Sequence, residues 1–139
     1  MRALAHSSAF SEGVRGLVDG EHFFDFFADD VVWEYPYSVP GAPTELRGRE
    51  ALMKGLQGSG EIFELDRITD LIMHPTDIGI ILEYSSHARS IGTGRPYHNR
   101  FVSILYIKDR KIHRWREYYN PLVILAALKP SAERQIERI

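Results

Sequence analysis

From residue 61 onward the chain carries four successive segments of strand character, each followed by a turn signal, and this half constrains the fold most. Residues 62–73 run into His74-Pro75-Thr76-Asp77, and residues 78–88 into the loop at Gly92-Thr93-Gly94. Residues 98–107 reach Asp109-Arg110, and residues 112–118 follow at once. Side chains on a strand alternate between two faces, and short polar breaks between such segments make hairpins. Four strands joined in this way form a mostly antiparallel sheet.

The first half reads as helix, strand and helix. Phe10, Val14, Leu17 and Val18 have the i, i+4, i+7, i+8 spacing of a helix face. Ser7, Ser8 or Ser11 would cap that helix and Gly20 would end it. A second short helix fits residues 21–27, where Phe23, Phe24, Phe26 and Phe27 exceed what one face can bury and read as a plug of the core. A first strand fits residues 31–35, ahead of a loop with Pro36, Pro40, Gly41 and Pro43 that disfavours further pairing. Residues 48–56 read as a short helix ended by Gly58 and Gly60. Asn120 is a good N-cap and Pro121 a good first residue for a final short helix lined by Leu122, Leu125, Ala126 and Leu128. The charged tail 130–139 is expected to be loosely ordered. Helices followed by a run of strands give an α+β class, with the sheet curling around the early helices and leaving a pocket between them.

Length and composition narrow the function. At 139 residues the chain is expected to be one domain, 1–139 with a core at about 11–128. With 44% hydrophobic and 26% charged residues, disorder and a membrane span are both disfavoured. No run approaches the ~18 apolar residues of a membrane helix, and the first residues lack the apolar stretch of a signal peptide. The expected location is therefore the cytoplasm. A net charge of −2 leaves no basic footprint for nucleic acid. With no cysteine, disulfides, thiolate metal sites and cysteine nucleophiles are excluded. His74, His87 and His98 lack ligand spacing, and Gly92-x-Gly94 does not open a helix, so neither a metal nor another cofactor is expected.

Strand phase selects the candidate site. Val31, Trp33 and Tyr35 share one face of the first strand. Ile80, Leu82, Tyr84, Ser86 and Ala88 share one face of the 78–88 strand, and His113, Trp115 and Glu117 one face of the last. These faces are expected to turn inward, leaving Glu83, His87, Arg114, Arg116 and Tyr118 outside. For residues 62–73 and 98–107 both faces carry apolar groups and no phase is assigned. A carboxylate among aromatic rings can have its pKa raised by desolvation, which suits acid/base work. Glu117 is the candidate general acid/base; its alternative is a structural carboxylate bonded to a buried Tyr, Trp or Arg. His113 would relay a proton or sit at the rim. Trp33, Tyr35, Tyr84, Ser86 and Trp115 would line a pocket for an apolar or aromatic small molecule, or pack as plain core, and Tyr37 would reach its mouth.

Three stretches carry a family resemblance: Ala28-Asp29-Asp30-Val31-Val32-Trp33-Glu34-Tyr35, Gly48-Arg49-Glu50-Ala51-Leu52, and Lys111 to Leu122. Together they resemble the SnoaL-like group of the nuclear transport factor 2-like superfamily. The resemblance implies a conical α+β barrel with a deep apolar cavity, and a homodimer formed through the outer face of the sheet. The ending Arg116-Glu117-Tyr118-Tyr119-Asn120-Pro121-Leu122 is most similar to the phenazine-biosynthesis A/B proteins, whose matching glutamate acts as acid/base in the cavity; this implies the same role for Glu117. Limonene epoxide hydrolase places an aspartate at the point of Glu117, but its Arg-x-Asp and Tyr-x-Asn pairs are missing here. The steroid-isomerase pattern is also incomplete, because no Asp stands at an inward position of the middle strand. The expectation is a cofactor-independent isomerase, cyclase or condensing enzyme. The rival expectation is a non-catalytic ligand-binding or dimerisation module of the same fold.

Overall fold

The computed structural model describes residues 10–129. The elements are β1 (Phe27–Glu34), β2 (Glu45–Arg47), α1 (Arg49–Ile62), β3 (Phe63–Thr76), β4 (Gly79–Ser90), β5 (Pro96–Lys108), β6 (Lys111–Tyr119) and α2 (Pro121–Leu128). Residues 10–13 are also helical. The strands form one six-stranded sheet in the order β2-β1-β6-β5-β4-β3. All neighbours are antiparallel except β1 and β6, which run parallel and bring the first and last strands side by side. This is the expected α+β architecture, a curved sheet with its helices on the inner face.

The inner face is where apolar side chains collect. Ile80, Leu82, Tyr84, Ser86 and Ala88 are buried along β4, as their alternation required. Val31 and Trp33 are buried on β1, and Leu52 of α1 closes over them with Phe10, Val14 and Val18. The phenylalanine cluster does plug this core: Phe26 and Phe27 are buried, with Phe23 and Phe24 packed against them.

Bulges bend the sheet and explain why two strands had no readable phase. An extra residue in one strand breaks the alternation and increases the local twist. The pairing of β3 with β4 shifts between Leu65 and Arg67 and again between Thr69 and Ile72. The β3 residues opposite inward β4 positions therefore change from Leu65 to Ile68 to Met73, and no single period describes the strand. On β5 the inward set is Tyr97, Asn99, Phe101, Ser103 and Leu105, opposite the inward set of β4. Two of those five are polar, while Val102 and Ile104 lie on the other face, so hydrophobicity could not separate the faces.

Three expected boundaries move. The helix over 21–27 is a single 3-10 turn, Phe23–Phe26, because Phe27 already belongs to β1 and pairs with Ile112. The first strand accordingly begins earlier than residue 31. The helix over 48–56 continues to Ile62 through Gly58 and Gly60. Glycine inside a helix costs about 1 kcal/mol relative to alanine and does not forbid it, and the buried Leu52 ties this helix to the core. Gly79 is needed for close approach, since a Cβ there would lie 1.9 Å from the Leu105 carbonyl oxygen. The Ser7 and Ser8 caps and the tail from Pro130 lie outside the described residues.

The turn into β6 sets the site. Asp109 and Arg110 have φ of 50° and 58°, a two-residue hairpin with both central residues left-handed. Arg110 is held there by its Nε donating to Asp19 Oδ1 (2.6 Å) and Nη1 to the Gly16 carbonyl (3.2 Å). Beyond the turn Ile107 pairs with Ile112, but Tyr106 pairs with Arg114, so His113 is an extra residue on β6. Ile112 and Trp115 consequently both point inward, and each is buried.

Candidate active site

Glu117 sits on β6 opposite Ser103 of β5, which in turn lies opposite Leu82 of β4. The Tyr84 hydroxyl donates to Glu117 Oε1 at 3.0 Å and lies 3.0 Å from Ser103 Oγ. When Glu117 is ionised the single phenolic proton goes to the carboxylate, so Ser103 donates to Tyr84. Ser103 and Tyr84 are fully buried. Glu117 is deep enough for desolvation to dominate its titration and still keeps some accessible surface.

Desolvation raises the Glu117 carboxyl to about pKa 7, against lowering by the Tyr84 hydroxyl and the Trp115 indole. Burial also raises the Tyr84 and Tyr35 phenols, with the negative charge of Glu117 adding to both. Both phenols therefore stay protonated, and that of Tyr84 donates to the carboxylate. The carboxyl is the one group here that changes charge near neutral pH.

Aromatic rings surround the carboxyl. Trp33 and Trp115 are paired across the parallel β1–β6 ladder and stack at 4.3 Å with a 7° interplanar angle. Phe10 packs edge-on against Tyr84 (4.8 Å) and Trp115 (5.2 Å). Phe101 stacks on Tyr84 at 5.1 Å, and Tyr119 bridges Phe101 (5.9 Å) to Tyr35 (6.1 Å). Tyr35, Phe101, Tyr119 and Glu117 are each half-buried. They mark the side from which the carboxyl is reached.

The structure brings together Glu117, Trp33, Tyr35, Tyr84 and Trp115. Other candidates stand apart. His113, the extra residue of the bulge, is half-exposed with Nδ1 3.8 Å from Asp30 Oδ1. Four residues of strand, roughly 13 Å, separate it from Glu117. Tyr37 is 62% exposed and packs at 5.8 Å against Tyr118 on the outer side. Ser86 is buried on the inner face opposite Asn99, nearer α2. There Asn99 Nδ2 donates to Tyr97 Oη (2.9 Å) and to the Asn120 carbonyl (3.0 Å), below the expected N-cap at Asn120. Two surface recesses, of ≈ 350 and ≈ 320 Å³, are not lined by Glu117; the larger shares Phe101 and Tyr119 with the rim of the site.

Ser103, Phe101 and Tyr119 were not among the sequence candidates. The first two sit on the strand whose phase was open, and Tyr119 is one inward step beyond Glu117. Among the described residues no group of three or more His, Asp or Glu side chains could hold a metal ion. Among them, too, no helix is long and apolar enough to cross a membrane.

Comparison with known proteins agrees with this architecture. A SnoaL-like domain family matches residues 6–115. An uncharacterised PhzA/B-like protein of Pseudomonas aeruginosa is 29% identical over 112 residues, 79% of each chain. Among solved structures, a candidate isomerase of Bacillus subtilis superposes with a TM-score of 0.74 at 24% identity, covering 94% of this chain and 98% of that one. A phenazine biosynthesis-related protein of Pseudomonas aeruginosa gives 0.69 at 21% identity, covering 94% and 91%. The chain belongs to the SnoaL-like family and has the nuclear transport factor 2-like fold.

Proposed function

We propose that the protein is a cofactor-independent acid/base catalyst of the isomerase or cyclase type, acting on an apolar or aromatic small molecule. The observation that carries this reading is the Glu117 carboxyl, raised to about pKa 7 inside an aromatic box and bonded to Tyr84. A general base works best with a pKa near the operating pH, because both protonation states are then populated. Glu117 would take a proton from one carbon of the substrate and return it to another. Trp33, Tyr35, Tyr84 and Trp115 would hold the substrate and exclude water. The names of two neighbours, a candidate isomerase and a candidate polyketide cyclase of Xanthomonas campestris, are consistent with such chemistry.

Deuterium wash-in from D2O into the C2 position of 1-indanone tests the reading without a known substrate. The wild-type protein is expected to accelerate exchange and Glu117→Gln to fall to the buffer rate. A wild-type rate no faster than that of the variant would remove the catalytic role. That outcome favours the rival reading, a dimerisation module with a filled core, which draws on the close packing of Phe10, Tyr84 and Trp115 and on Glu117 lining neither surface recess.

We further propose a homodimer through the outer face of the sheet. Val102 and Ile104 lie there between Glu83 on β4 and the β6 residues Arg116 and Tyr118. Val102 is 36% exposed, while Arg114 and Arg116 approach Glu34 at 3.1 and 3.7 Å and frame the apolar strip. Sedimentation at micromolar concentration is expected to give twice the chain mass; a 16.0 kDa species would contradict the dimer.

A further inference from the structure

We propose that Ser103 is a positioning residue for the Glu117 carboxyl, acting on it through the Tyr84 hydroxyl in a hydrogen-bond chain that runs in either direction. The inference deepens the acid/base reading of Glu117 and rests on it for the reaction the chain serves.

The geometry begins with a polar residue where packing asks for none. Ser103 has no exposed surface and stands on the inner face of β5 between Phe101 and Leu105. It is paired with Leu82 on β4 and with Glu117 on β6. Burying a hydroxyl is unfavourable unless it is hydrogen-bonded. Glu117 is its cross-strand neighbour, yet the Ser103 hydroxyl bonds to the Tyr84 oxygen, at 3.0 Å. Tyr84 is buried as well, and its O–H is already satisfied by Glu117 Oε1 at 3.0 Å. Tyr84 therefore does not need Ser103 as an acceptor. What Ser103 adds is a third link, one step beyond the phenol.

A carboxyl that acts first as base and then as acid needs a partner in both states. Ionised, it only accepts; protonated, it has an O–H to give. With Glu117 ionised, Ser103 donates to Tyr84 and Tyr84 donates to the carboxylate. With Glu117 protonated, the carboxylic O–H donates to the Tyr84 oxygen, and the phenolic O–H turns to the Ser103 oxygen. The change is a rotation of hydroxyl groups. No proton crosses between side chains and no heavy atom moves. A hydroxyl at position 103 serves both directions because it can donate and accept. Each bond in such a chain polarises the next. The electrostatics run the same way. Burial raises the carboxyl and the Tyr84 bond lowers it. Burial and the charge of Glu117 raise the Tyr84 phenol and the Ser103 bond lowers it.

No charged side chain competes with the chain. Among the described residues, the titratable groups that feel the charge of Glu117 are phenols: Tyr84 on β4, Tyr97 on β5, Tyr119 on β6 and Tyr35 just beyond β1. The helical elements packed on this face contribute Phe10, Val14 and Leu52, and α2 contributes Val123 and Ile124, none of which titrates.

The Glu117 titration can be followed by its carboxyl carbon signal in protein grown on ¹³C-carboxyl-labelled glutamate, the signal being assigned by its loss in Glu117→Gln. Tyr84→Phe is expected to raise the midpoint by roughly 1–2 pH units, the worth of a hydrogen bond to a charged group. Ser103→Ala removes one oxygen and little else. It is expected to raise the midpoint by about 0.3–0.5 unit, the share of that bond which a polarising neighbour supplies. The double variant is expected to match Tyr84→Phe, because without the phenol Ser103 has no route to the carboxyl. The midpoint of the pH profile of indanone exchange should move in step. An unmoved midpoint in Ser103→Ala, or an equal shift with and without the Tyr84 hydroxyl, overturns the proposal and leaves Ser103 as a packing residue. The expected shifts in a protein that does not accelerate exchange support the chain and remove only its reaction. Exchange that depends on Glu117 but ignores Ser103 does the reverse.

Discussion

Glu117→Gln is expected to flatten the pH dependence of stability relative to the wild type. The carboxyl is raised to about pKa 7 in the folded protein, against an ordinary value of 4.5. The native state holds its proton more tightly than the unfolded chain, so the neutral form favours folding. That contribution is present in full below pH ~4.5 and is lost as the pH rises through ~7, amounting to about 3 kcal/mol. An amide has no such titration. The urea-derived stability of the wild type minus that of the variant should therefore fall between pH 4.5 and 7.5 and then level off. Other groups titrate in both proteins and cancel in the difference. Parallel stability curves would mean that Glu117 is an ordinary solvated carboxylate. The same substitution is expected to lower indanone exchange by roughly 10²–10⁴-fold, the usual contribution of a placed acid/base group. Stability and chemistry thus read one property, a carboxyl kept out of water.

Trp115→Ala is expected to cost about 3–5 kcal/mol, the range for removing a fully buried Trp or Phe. Trp115 has no exposed surface and touches Phe10, Phe23, Phe27 and Trp33. Its loss leaves one face of Trp33 unstacked and opens a void beneath Glu117. Total stabilities of domains this size are about 5–15 kcal/mol, so the variant should lose a large share of its stability. Leu122→Ala is the control: the side chain is 71% exposed on α2, and its removal should stay within ~0.5 kcal/mol. Urea midpoints measure both. A Trp115→Ala loss below about 1 kcal/mol would show that the core closes readily around the gap.

Much of this fold was legible because its determinants are local. The inward faces of β1 and β4 follow from simple alternation, as Trp33 and Tyr84 show. The N-cap at Asn120 follows from its neighbour Pro121. The phenylalanines at 23–27 declared a core plug even though their backbone is a 3-10 turn running into a strand. What stayed hidden depends on pairing between strands. The hairpin at Asp109 and Arg110, taken alone, would set Glu117 opposite Val102. The supernumerary His113 moves it opposite Ser103, and nothing in the residue types near 113 announces this. The rim residue Phe101 was missed because both faces of β5 mix polar and apolar residues, while Tyr119 follows Glu117 by simple alternation and was passed over. Glycine also misled: Gly58 and Gly60 looked like helix stops, but a helix anchored by Leu52 runs through them.

The parallel pairing of β1 with β6 has a consequence for the order in which the protein is made. Trp33 is on the first strand and Trp115 on the sixth, yet they form one stacked pair. During synthesis the hairpins of β3, β4 and β5 can form as they emerge, because their contacts are close in sequence. The ladder that joins β1 to β6 must wait for β6 and then close a loop of about 80 residues between Trp33 and Trp115. Contacts of such high sequence separation form late and slowly. The carboxyl and the indoles therefore meet only when the fold is completed, so a chain cut short before β6 lacks the site altogether.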